Sequence, residues 1–132
     1  MTTADWIKGR RDVRPLYHWT CTEGAAGIRG DGLVRPFPQP ALPGCPALAW
    51  FTDLPFRTPS TRRALGLTSQ TLACDRMSRR FIVAHPERLI PWEEWAAEYG
   101  AAEWADLAPG LPAHWWVADR PTRVLTKSWG KP

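Results

Sequence analysis

Long apolar runs are missing from this 132-residue chain. The longest extend only a few residues, as in Leu48-Ala49-Trp50-Phe51, far short of the ~18 that would span a bilayer. No apolar segment follows the charged residues Asp5, Lys8, Arg10, Arg11, Asp12 and Arg14 near the amino end, so no secretory leader is expected and a cytoplasmic location is. Cysteine is scarce, and Cys21, Cys45 and Cys74 are an odd number that cannot close into a complete set of disulfides. With His18 they match a Cys3His zinc site in ligand count, but the short Cys-x2-Cys knuckle is absent, so no metal is expected and the thiols read as small buried hydrophobes. There is no internal repeat and no Gly-rich phosphate fingerprint. No Ser-His-Asp set, Cys-His nucleophile or glycosidase-like carboxylate pair occurs in a recognisable context, which sets the hydrolase classes aside.

What is present suffices for one core. Hydrophobic residues make up 44% of the chain and charged residues 23%, a balance that folds without staples at this length. The net charge of +4 hides an asymmetry, because residues 87 to 106 hold six of the acids, Glu87, Glu93, Glu94, Glu98, Glu103 and Asp106, against Arg88 alone. The remainder is a basic surface, mostly arginine, suited to phosphate oxygens. Nine tryptophans exceed what packing requires, and some of them are expected to line a pocket even though the core is the better place for any single one.

Period and punctuation predict a single domain over 1–132, with residues 1–14 a loosely held arm and 15–130 the core. Val13 to Thr20 alternates as a strand, with Leu16, His18 and Thr20 on one face and Tyr17 and Trp19 on the other. Thr22 then caps a short helix through Ile28 that Gly30-Asp31-Gly32 ends. Gly24 and Gly27 weaken that helix and are tolerable where a neighbouring backbone or ligand comes close. Leu33 to Arg35 is a short strand, the prolines from Pro36 to Pro46 form a surface loop or lid, and Ala47 to Asp53 is the next strand. Pro59 to Leu67 starts as a helix capped by Ser60 or Thr61, with Arg62 and Arg63 near its beginning. Thr71 to Asp75 and Arg79 to His85 read as a hairpin. The best helix runs from Trp92 to Ala105, its buried stripe comprising Trp92, Trp95, Ala96, Tyr99 and Ala102. His114 to Ala118 and Thr122 to Thr126 are two last strands around an Asp119-Arg120-Pro121 corner. This order predicts an α+β domain with a bent or split, antiparallel-rich sheet and two or three helices.

The most specific stretch is Leu16-Tyr17-His18-Trp19-Thr20, continued by Glu23-Gly24-Ala25-Ala26-Gly27-Ile28 and Gly32-Leu33. It resembles the first motif of the ADP-ribosyltransferase superfamily, in which a strand ending in His-x-Ser/Thr leads into a helix and a Gly-Leu turn. DNA-modifying ADP-ribosyltransferase toxins and small bacterial relatives are similar to it. Trp50-Phe51-Thr52-Asp53 is similar to the family's second strand, which ends in an aromatic and a hydroxyl residue. The resemblance covers residues 16 to 53 and implies an ADP-ribosyltransferase-like fold that binds NAD. In it His18 would hydrogen-bond a ribose hydroxyl and Thr20 would hold the nicotinamide ribose. A neutral imidazole and a hydroxyl on one strand face have the donors and acceptors for that task. Transfer of ADP-ribose breaks a glycosidic bond through an oxocarbenium-like state, which calls for an aromatic wall and a nearby carboxylate. Tyr17, Trp19, Trp50 and Phe51 offer the wall, with Thr52 beside them. Arg35, Arg62, Arg63, Arg76 and Arg80 are candidates for the diphosphate by their places beside strands or at a helix start, Arg35 and Arg80 foremost.

The chain departs from the family at its third motif, where a late strand commonly carries a catalytic glutamate. No late strand here contains one, so the role falls to Asp119, the only acid near the C-terminal strands, or to Glu87 beside the strand ending at His85. The acceptor would be a nucleic acid or a protein. Two other functions fit the composition without NAD. One is a binder of RNA or single-stranded DNA that uses arginines for phosphates and aromatics for bases. The other is a partner-binding domain anchored by exposed Trp and Arg.

Overall fold

The computed structural model describes residues 14–38, 44–67, 75–99 and 111–126. Strand β1 (Tyr17–Thr20) leads into helix α1 (Thr22–Asp31) and the short β2 (Leu33–Val34). Strand β3 (Ala49–Thr52), helix α2 (Pro59–Leu65) and β4 (Arg79–Val83) follow. A 3-10 turn (Pro86–Arg88), β5 (Ile90–Pro91) and helix α3 (Trp92–Tyr99) precede a second 3-10 turn (Pro112–His114), β6 (Trp115–Ala118) and β7 (Thr122–Leu125). Residues 1–13 of the expected arm, residues 71–74 of the expected hairpin with Cys74, and the expected helix beyond Tyr99 lie outside the described residues. No helix among the described residues is long and apolar enough to cross a membrane.

Among the described residues the fold is α+β, three α-helices on one sheet of seven strands in the order β2-β7-β4-β1-β3-β6-β5. Every pairing in that sheet is antiparallel. Consecutive antiparallel steps make β6 and β7 run in the same direction, although only Asp119, Arg120 and Pro121 connect them. In a flat sheet four strand spacings, ~19 Å at ~4.8 Å each, would separate the two. The four Cα–Cα steps from Ala118 to Thr122 reach at most ~15 Å. The sheet therefore curls, and the Asp119–Pro121 corner bends a single path from one part of it to another.

Two apolar clusters fill the faces. Leu16, Ala25, Ile28, Phe51, Phe81, Val83 and Val124 pack on one, beneath α1. Trp19, Leu65, Met77, Trp92, Trp95, Trp115 and Val117 pack on the other, against α2 and α3. Trp92 is completely buried, with Trp50 at 4.8 Å and Trp95 at 5.8 Å between ring centroids. Tyr99, expected in the buried stripe of α3, is instead 58% exposed and stacks on Trp95 at 5.1 Å.

The caps differ from expectation as well. Helix α1 starts one residue earlier, with Cys21 at the N-cap and no side-chain cap bond. In α2 the cap is Thr58, whose hydroxyl accepts from Thr61 N–H at 3.1 Å. Pro59 at the first helical position explains this, since it needs no N–H partner and fixes φ for the turn. Cys45 packs on the Trp19 cluster as a small apolar side chain, whereas Cys21 is half-buried at the helix start.

Candidate functional site

Strand β1 is fully paired on one side and almost unpaired on the other. It matches β4 at Tyr17↔Ile82, His18↔Phe81, Trp19↔Arg80 and Thr20↔Arg79, but meets β3 only at Tyr17↔Thr52. Strand β3 is in turn fully matched to β6, from Ala49↔Ala118 to Thr52↔Trp115. The sheet thus forks between β1 and β3 beyond their single shared pair.

His18 sits in that fork. Its Nδ1–H donates to the carbonyl of Trp50 at 2.8 Å, where the ladder to β1 has ended. Since a carbonyl only accepts, Nδ1 carries the proton and Nε2 keeps its lone pair. Burial pushes the His18 pKa below its ordinary 6.5, and the Trp50 bond opposes that shift without cancelling it. The imidazole is therefore neutral at pH 7 and presents an acceptor. Its ring lies 5.6 Å from that of Phe51.

Thr20 lies on the same strand face and fixes the start of α1. A Cβ on Gly24 would stand 2.2 Å from Thr20 Oγ1. The hydroxyl occupies the volume a side chain would take, so the glycine that weakens α1 is required by close approach. Side chains opposite one another in an antiparallel pair share a face. By that rule the arginine on the His18 and Thr20 face is Arg79, whose Nη1 donates to the Ser78 carbonyl at 2.9 Å.

The other expected binding residues are placed differently. Trp19 is buried in the opposite cluster and its indole N–H donates to the Leu54 carbonyl at 3.1 Å. Tyr17 shares that face, with the Arg80 guanidinium 5.0 Å from its ring centre. Arg80 also donates to the Pro55 carbonyl, so it is bound to backbone on the side away from His18. The Trp50 ring packs between Trp92 and Trp115, and its buried indole N–H has no partner among the described residues. Only its carbonyl serves the fork. Thr52 is 1% exposed, and its hydroxyl accepts from Leu54 N–H in a local turn. Arg35 pairs with Asp31 on the surface. Arg62 is held by Asp75 through two bonds of 2.9 Å. Phe51, the one member of the expected wall on the His18 face, is fully buried.

Asp119 does not join them. It is 59% exposed, accepts from Arg120 at 3.2 Å, and lines a cavity of about 560 Å³ to which none of the expected cofactor-binding residues contributes. Glu87 lies beside His85 at 3.6 Å on the surface.

A pair that spacing alone does not reveal joins the end of β3 to the start of β6. His114 Nδ1–H donates to Asp53 Oδ1 at 2.9 Å, and Arg14 donates to Asp53 Oδ2 at 3.0 Å. Asp53 is 9% exposed and His114 32%. The Arg14 guanidinium also lies 5.7 Å from the ring centre of Trp116, which is paired with Phe51. Asp53 and His114 thus occupy the Phe51 side of the sheet. They are 61 residues apart, and the only sequence signal was a histidine opening one strand and an aspartate closing another.

A comparison with family models, curated proteins and solved structures finds no match to this chain.

Proposed function

We propose that this protein binds NAD at the fork between β1 and β3 and transfers its ADP-ribose to a nucleic-acid or protein acceptor in the cytoplasm. One observation carries the reading. His18 is half-buried, neutral and oriented by the Trp50 carbonyl, so that Nε2 is an acceptor for a ribose hydroxyl. Thr20 on the same face supplies a hydroxyl that both donates and accepts, set in place by Gly24. Bound NAD supplies a glycosidic bond from ribose to nicotinamide, which breaks as ribose C1′ bonds to an acceptor atom that gives up its proton. His114, whose ring Asp53 orients through Nδ1, is the base on that side of the sheet.

A second reading is favoured by the position of Asp119. With that carboxylate apart from His18, the fork would bind a nucleotide without turning it over, and the protein would act as a nucleic-acid or protein-binding module. Incubation of wild type and His18→Ala with NAD, with and without mixed DNA and RNA, separates the two through released nicotinamide. Release by wild type alone supports transfer. Binding of NAD without release in wild type supports the module, and no binding refutes the NAD site.

A further inference from the structure

We propose a second ligand site, for a nucleoside phosphate, in the cavity bounded by the β6–β7 corner and the end of α3. Its volume of about 560 Å³ lies within the ~300–1,000 Å³ typical of small-molecule sites. Arg88 comes from the 3-10 turn, and Arg120 and Arg123 come from the corner and β7. The lining carboxylate, Asp119, is already engaged by Arg120. The cavity is therefore cationic, with guanidiniums on two sides, a geometry suited to a phosphate group.

Its remaining wall is aromatic. Trp95 is buried and carries the stacked, 58% exposed ring of Tyr99, and both line the space. An exposed ring backed by a fixed indole is a stacking platform for a base. Gly32 makes room at the edge, because Arg123 Nη1 lies 3.3 Å from where a Cβ there would stand. Phosphate donors and a base platform in one cavity define a nucleoside monophosphate unit, either a free nucleotide or one residue of a single strand. None of these residues belongs to the His18 face, so the site stands whether or not the fork binds NAD.

The test measures binding of adenosine monophosphate by calorimetry and of a fluorescein-labelled single-stranded oligonucleotide by anisotropy. The proteins are wild type, Arg88→Ala, Arg120→Ala, Tyr99→Ala and His18→Ala. The side chains changed in the cavity are exposed, so these variants should fold, as far-UV circular dichroism will verify. Each arginine substitution is expected to weaken binding about tenfold, the value of one charge-assisted hydrogen bond. Tyr99→Ala is expected to weaken it by a similar factor of about ten, as loss of one stacked base does. The log–log salt slope for the oligonucleotide should be about −0.7 for the one phosphate held in the cavity and shrink toward zero as its arginines are removed. His18→Ala should bind as wild type does, which keeps a failure at the fork distinguishable from a failure here. Tighter binding of the strand than of the mononucleotide would identify nucleic acid as the source, and equal binding a free nucleotide. Absence of binding by wild type, or binding untouched by both arginine variants and Tyr99→Ala, would overturn the proposal.

Discussion

The contact between Gly24 and Thr20 makes a quantitative prediction. In an exposed helix interior Gly→Ala is favourable by about 1 kcal/mol. Here the added methyl would meet Thr20 Oγ1 at 2.2 Å, well inside contact distance, and overpacking of this kind costs about 1–3 kcal/mol. In the wild-type background Gly24→Ala should therefore be near neutral to about 2 kcal/mol destabilising. Thr20→Ala removes the obstructing oxygen. On that background the same Gly24→Ala change should stabilise by about 1 kcal/mol, because only the helix term survives. The four proteins form a double-mutant cycle with an expected coupling of about 1–3 kcal/mol, measured by urea denaturation with a common m-value. Additivity within ~0.5 kcal/mol would refute the close approach, and with it the account of how Thr20 is set at the fork. The same cycle bears on function, since Gly24→Ala must turn the Thr20 hydroxyl away and should weaken NAD binding wherever Thr20 is present.

Two further outcomes follow from titrating groups. Because burial lowers the His18 pKa below 6.5, the unfolded chain takes up that proton first, so stability is full above pH 6.5 and falls as the pH drops toward the folded pKa. The urea midpoint of wild type should decline between pH 7 and 5 more steeply than that of His18→Gln, and parallel curves would show that His18 is not held neutral. Asp75 has the opposite partner relation, its pKa drawn down to about 2 chiefly by the Arg62 hydrogen bonds. Its stabilisation is present above the unfolded value near 3.8 and is lost as the pH falls from there to about 2. With Asp75 45% exposed, solvent screening limits it to about 1 kcal/mol or less. Arg62→Ala should remove this acid-range dependence, and an unchanged profile from pH 4 to 2 would contradict it.

Of the candidate site, only the shared face of His18 and Thr20 was legible, because there periodicity alone decides orientation. Alternation along Leu16–Thr20 put His18 and Thr20 on one face, and the structure places them so. The alternation Arg79, Phe81, Val83 carries the same information for β4. Followed through, it gives Arg79 rather than Arg80 to the His18 face, because the two apolar residues must point into the core. What alternation cannot supply is depth. Thr52 and Trp19 looked available in sequence, yet both are buried, Trp19 in the cluster beneath α2 and α3, and Tyr99 lies on the apolar stripe of α3 but is exposed. The Asp53–His114 bond depends on the register of β3 against β6, a long-range pairing that no local pattern encodes.

The curl of the sheet links these features. A corner of three residues between two strands with the same direction forces β6 and β7 onto one bent path, so β3 follows β6 while β1 stays with β4. The ladder between β1 and β3 then reduces to Tyr17↔Thr52, leaving backbone carbonyls beyond it in need of donors. An unpaired buried carbonyl costs ~1–3 kcal/mol, and His18 meets that need at Trp50 with one ring nitrogen while reserving the other. His18→Ala would therefore lose the structural bond and the acceptor together. His18→Asn separates them, because its amide can donate to the Trp50 carbonyl but leaves no nitrogen lone pair in the place of Nε2. If the fork is a binding site, His18→Asn should recover stability relative to His18→Ala without recovering NAD affinity. Recovery of both would mean that the imidazole serves the sheet alone.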